Sequence, residues 1–181
     1  NDIAYKTLCL RYLSWKRLFK PHSRKLSESE IVGLIGELLF LKEQMMPQLG
    51  SAKAIESWMG PEKTHKDFSI DDLWYEVKTI SNGKNTVRIS SIEQLDGGEG
   101  YLVVYCLEKM SPSFSGIRLN SLVWSIMNCL DGSIQRENFM SKLSLYNFDF
   151  SPDYDNLVYS KISFSMFSVN DSFPRITRSN I

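Results

Sequence analysis

Histidine is nearly missing from this sequence: His22 and His65 are the only two among 181 residues. A histidine-rich metal centre is therefore excluded. Cysteine is sparse as well. Cys9, Cys106 and Cys129 are odd in number, scattered, and without a Cys-x-x-Cys spacing. They argue against a disulfide framework and a zinc site, and for buried thiols in a reducing compartment, which means a cytoplasmic protein. No apolar run approaches the ~20 residues of a membrane span, and no signal peptide is visible. An excess of one charge is also lacking, since 21 Lys and Arg balance 21 Asp and Glu. Non-specific nucleic-acid binding usually needs a basic footprint, so the balance weighs mildly against it, although a local basic groove fits inside a neutral total. Without repeats, low-complexity runs or linkers, residues 1–181 are expected to form a single domain with a real core.

What is present is a clear succession of patterns. Residues 3–20 mix Ile3, Tyr5, Leu8, Leu10, Leu13, Trp15 and Leu18 with Lys6, Arg11, Lys16, Arg17 and Lys20. That predicts an amphipathic helix with a basic face, solvated or phosphate-facing, ended by Pro21. Ser27 followed by Glu30 forms a capping box for a second helix. Ile31, Leu34, Ile35, Leu38, Leu39 and Leu41 give that helix a wide apolar surface, and Gly33 and Gly36 suggest close packing. Pro47 and Gly50 are expected to end it, with a weaker helical segment from Ser51 to Met59 after it.

From Asp67 the period changes to two. Phe68 and Ile70 alternate with polar neighbours, Asp71-Asp72 reads as a tight turn, and Leu73, Tyr75 and Val77 alternate again. Asn82-Gly83 marks the next turn, Thr86–Ser90 a third short strand, and Ser91–Asp96 a short helix. Tyr101–Leu107 is a continuous apolar run typical of a buried central strand. Further on, Asn120 is expected to cap a helix through Leu130, Ser133–Leu143 to form another, and residues 157–169 a late strand.

Four ionisable residues stand where this background makes charge costly: Glu37, Asp67, Glu76 and Lys78. If Asp71-Asp72 is a two-residue turn, Ile70 pairs with Leu73, and counting outward pairs Asp67 with Glu76. Opposed residues share a face, and Lys78, two positions on, shares it too. Two opposed carboxylates repel unless a cation lies between them. Magnesium suits such a site, because it takes carboxylate oxygens and retains waters, and the Val77 carbonyl offers a further oxygen. Lys78 would orient or activate an attacking water and offset phosphorane charge. Glu37 would support the site or hold a second metal.

The pattern resembles the PD-(D/E)xK nuclease superfamily, the fold of many type II restriction endonucleases and Holliday-junction resolvases. Within it, Gly36-Glu37-Leu38, His65-Lys66-Asp67-Phe68, Tyr75-Glu76-Val77-Lys78-Thr79 and Ser172-Phe173-Pro174-Arg175-Ile176 are similar to a prokaryotic group often found near restriction and phage-defence genes. Lys66 stands where the name-giving proline would be. The resemblance implies an α/β fold: a central mixed β-sheet flanked by helices, in αβββαβ order over residues 27–107, with extra C-terminal helices and a strand over 108–181. It implies a metal-dependent DNA endonuclease using Mg2+, with Mn2+ as a substitute. DNA would be the partner, and the chain would act as a homodimer or as a subunit of a restriction or defence complex.

By the same resemblance, Ser91 and Gln94 face the site or the DNA backbone. Arg175, with Arg178, would grip phosphate or merely cover the surface, and His65 would position water or be an ordinary turn residue. Trp58 reads as core, and Tyr154, Tyr159, Phe164 and Phe167 as core or interface aromatics. The rival readings are a non-catalytic module of the same fold, a hydrolase of another phosphodiester, and a nuclease preferring RNA.

Overall fold

The computed structural model describes residues 24–62 and 65–174. The basic-faced helix expected over 3–20 lies outside the described residues. Ser27 opens helix α1 (Glu28–Phe40) through the expected capping box. Its hydroxyl accepts from the Glu30 N–H, and the Glu30 carboxylate accepts from the Ser27 N–H. Pro47 does not end this run. Leu41–Met45 widens into a π-helical turn that leads into α2 (Met46–Leu49). A proline lacks the helical N–H and crowds the preceding turn, and a π turn immediately before it relieves that conflict without breaking the rod. Gly50, at φ +76°, ends α2 and starts α3 (Ser51–Ser57).

Strands β1 (Phe68–Ile70), β2 (Leu73–Ser81), β3 (Gly100–Met110) and β4 (Val158–Val169) form a mixed sheet in the order β1-β2-β3-β4. The β1–β2 and β3–β4 pairs are antiparallel, and β2–β3 is parallel. Helices α4 (Leu119–Asn128) and α5 (Ser133–Leu145) lie between β3 and β4 in sequence. Alternation along the strands divides their side chains between two cores. Phe68, Tyr75, Val77, Val103, Tyr105 and Leu107 join the helices in the large one. Trp74, Leu102, Val104 and Val169 form a small one on the other face, with Leu95, Val87, Ile89 and Phe173. Burial on both faces explains the unbroken apolar run in β3.

The parallel β2–β3 connection departs from expectation. Thr86–Ser90 is not a strand, and Ser91–Asp96 contributes only a single 3-10 turn, Ile92–Gln94. The alternation of Val87 and Ile89 reflects one-sided packing against the small core rather than ladder pairing, so period two was read correctly as sidedness and wrongly as a strand. Asn120 is likewise not a cap. Arg118 occupies that position, and Asn120 lies in the first turn, donating through Nδ2 to the Ser151 carbonyl and Asp155 Oδ1. Of the two glycines in α1, only Gly36 is tightly packed: a Cβ there would collide with Thr79 Oγ1, whereas Gly33 has open space. This contact seats α1 against β2. Among the described residues, no helix is long and apolar enough to cross a membrane.

Candidate functional site

Register builds the site. Ile70 pairs with Leu73, Ser69 with Trp74 and Phe68 with Tyr75; the expected Asp67–Glu76 pair does not follow, because the Asp67 N–H turns to the Tyr75 carbonyl at 3.2 Å, one residue out of that register. Asp71 makes the connecting turn in the left-handed region, at φ +51°, which aspartate tolerates better than most residues. β1 stops at this point, and β2 runs on. Its next outward N–H, that of Val77, donates to Asp67 Oδ2 at 2.7 Å, so a side chain completes the ladder where the backbone no longer can. The N–H and C=O of one strand residue point to the same side, so the Val77 carbonyl faces this same edge.

Glu76 lies one residue from Val77, 1% exposed, with Lys78 Nζ 2.7 Å from its Oε1. The approach is an ion pair, but its angle leaves Oε1 without an aligned hydrogen bond. Burial and the Asp67 charge push the Glu76 carboxyl up to about 8, against the pull of Lys78 and Lys66. Burial likewise raises Asp67 to about 6, with the Val77 N–H, Lys78 and Lys66 opposing.

Glu37 enters from α1 and is held differently. Trp58 Nε1 donates to its Oε2 at 2.7 Å, and the Tyr146 hydroxyl lies 2.6 Å from both carboxylate oxygens. Burial, then the Asp67 and Glu76 charges, still keep its carboxyl well above the usual range, while these two donors lower it. Burial beside Glu37 drives the Tyr146 hydroxyl upward. Gly60 is required here: a Cβ would strike Glu37 Oε2 and lie 2.8 Å from the Tyr146 hydroxyl and 3.3 Å from Asp67 Oδ1. The Met59 and Gly60 N–H groups both donate to the Asp67 carbonyl, at 2.8 and 3.0 Å.

The structure thus brings Glu37, Asp67, Glu76, Val77 and Lys78 into one neighbourhood. The Gln94 side-chain oxygen accepts from the Ser90 N–H at 2.7 Å, and Ser91 opens the 3-10 turn. His65 is exposed in the bend before Asp67. Arg175 lies outside the described residues. Lys66, the departure from the motif's proline, reaches the carbonyls of Gln94 and Asp96 at 2.9 and 2.7 Å and sits 3.4 Å over the Trp74 ring. It ties the crossover to the site's rim.

Sequence reasoning missed Tyr146, read Gly60 only as part of the Gly60-Pro61 stop after the Ser51–Met59 segment, and read Trp58 as core without its hydrogen bond. Trp58 is indeed fully buried, and a buried indole N–H usually needs an acceptor. That requirement was the one available clue.

The donor chemistry fits a hard divalent ion. It consists of carboxylate oxygens from Asp67 and Glu76 and the Val77 carbonyl, in a place where negative charge is costly. Among the described residues, no group of three or more His, Cys, Asp or Glu side chains is arranged as a metal cage. The fit is to oxygen-preferring divalent ions as a class.

No curated protein and no solved structure matches this chain. A family model described as "Putative PD-(D/E)XK family member, (DUF4420)" matches residues 2–181, nearly the whole length of a chain folded as a mixed sheet flanked by helices, and the chain belongs to this family.

Proposed function

We propose that the chain is a metal-dependent DNA endonuclease of restriction or phage-defence type, hydrolysing phosphodiester bonds. The observation that carries this reading is the Lys78 ammonium held 2.7 Å from buried Glu76, beside Asp67 at the open end of β1. A simple cation-binding site has no need of a lysine so close, since it repels the ion. A hydrolytic site does, because water must be oriented and negative charge develops on the phosphorus oxygens.

Asp67, Glu76 and the Val77 carbonyl would hold Mg2+, with Mn2+ as a substitute. The bound ion would polarise the phosphate and lower the pKa of an attached water. Lys78 would donate to the attacking water and offset phosphorane charge. Glu37 would set the field and position of Asp67 from behind. DNA as substrate rests on family likeness, and cleavage of both strands would call for two copies of the site, hence a homodimer. The test is nicking of supercoiled plasmid with and without Mg2+. Cleavage that requires the ion and disappears in Glu76→Ala and Lys78→Ala supports the reading. A preparation that binds no divalent ion and cuts nothing refutes it.

A second reading is favoured by the balanced charge, 21 against 21: a non-catalytic module of this fold, serving as a DNA-binding or accessory subunit of a defence complex. It predicts wild-type binding to DNA, or to a partner protein, that both alanine substitutions leave intact.

A further inference from the structure

We propose that Tyr146 is a positioning residue: through its hydroxyl, the end of helix α5 fixes the Glu37 carboxylate beside Asp67 and so sets the affinity of the cation site. This rests on the reading of Asp67 and Glu76 as divalent-ion ligands.

The argument begins with the carboxylate. Glu37 is buried and Trp58 serves only Oε2. Without a second donor the group is free to turn about its last bond and carry its charge away from Asp67. Tyr146 stands 2.6 Å from both oxygens and removes that freedom. Its own position is over-determined. It caps α5, with its N–H donating to the Leu143 carbonyl at 3.1 Å, and its ring stacks on Trp58 at 5.9 Å and 21°.

The same helix grips the other end of this framework. Lys142 donates to the Trp58 carbonyl and, at 3.3 Å, to the Glu56 carbonyl, and it pairs with Glu62 at 3.1 Å. Phe139 packs on the Trp58 ring at 5.9 Å. Helix α5 therefore holds both donors that hold Glu37. At the Gly60 α-carbon the whole arrangement converges, since one added carbon would meet Glu37, Tyr146 and Asp67 together. A C-terminal helix outside the motif-bearing hairpin is in this way built into the motif's geometry. Supporting hydrogen bonds of this kind typically change metal affinity by about 10–100-fold.

The experiment is a double-mutant cycle on Mn2+ affinity, read by electron paramagnetic resonance without DNA. Tyr146→Phe keeps the ring stack and is expected to weaken Mn2+ binding about tenfold. Glu37→Ala should weaken it at least as much. In the Glu37→Ala background Tyr146→Phe should change nothing further, because no carboxylate is left to position. An unchanged affinity in Tyr146→Phe, or a further loss in the double variant, overturns the proposal. Should Tyr146→Phe alone fail to fold, the double variant has no orphaned carboxylate and still makes the comparison with Glu37→Ala. Failure of the underlying site is distinguishable: the wild type would then bind no Mn2+, or Glu76→Ala would bind it as well as wild type.

Discussion

Glu37 and Glu76 are both glutamates whose carboxyls are raised first by burial and then by the Asp67 charge, yet the protein treats them in opposite ways. Glu37 is given two neutral donors from distant parts of the chain. Glu76 is given one lysine, and its Oε1 is left without an aligned hydrogen bond. A buried carboxylate with full hydrogen bonding is a structural element, whereas one left short of partners stores a penalty that a ligand can relieve. The contrast separates the frame of the site from its reactive edge.

The comparison breaks most visibly in activity. Glu76→Ala or Lys78→Ala is expected to lower Mg2+-dependent plasmid nicking by about 10³-fold, measured as initial rates against wild type. Glu37→Gln should keep a measurable fraction of the rate, because its role is support.

Stability against pH sharpens the same contrast. Glu76 has its folded pKa raised, from the ordinary 4.5 to about 8, so the fold favours the protonated form. Its contribution is therefore greatest below about pH 4.5 and is lost as pH rises towards about 8. Relative to Glu76→Gln, the metal-free wild type should lose stability across that window by up to ~1.4 kcal/mol per pH unit. Saturating Mg2+ should flatten the difference. Parallel thermal melts of the two proteins with and without the ion check this. A wild type that gained on the variant as pH rose would contradict the account.

On the well-supported side, Trp58→Phe removes one donor from Glu37 while keeping an aromatic ring. Loss of a hydrogen bond to a buried charge suggests about 1.5–3 kcal/mol, measurable by urea unfolding. The smallest effect is expected at the rim. Lys66→Met should cost about 1 kcal/mol, as cation–π and carbonyl contacts are lost. Hydrogen exchange should then quicken over 92–96 and remain unchanged in β2.

The legible parts of this molecule are those governed by short-range rules. The Ser27–Glu30 box and the two-residue Asp71-Asp72 turn are local, and turn length sets register. Counting from that turn therefore gives the three pairs the hairpin forms, Ile70–Leu73, Ser69–Trp74 and Phe68–Tyr75, but not the Asp67–Glu76 pair, because the Asp67 N–H turns to the Tyr75 carbonyl instead. The crossover after Asn82-Gly83 was misread because a one-sided extended segment has the same alternation as a strand. Tyr146 was invisible for another reason. It lies 109 residues from Glu37, and no local period marks a tyrosine that closes a helix in order to reach a distant carboxylate.

The π-helical turn at Leu41–Met45 has a consequence for rotational phase. Each residue of an α-helix advances about 100°, so one more or one fewer residue in this stretch would turn everything after it around the rod. Glu37 lies before the turn and Trp58 after it. The wide turn therefore works as an angular spacer that sets the phase of α2 on α1, and with it the direction in which the chain leaves the rod at Gly50. A one-residue deletion within Leu41–Met45 would restore a smoother helix and send the chain towards α3 from a different side of the rod.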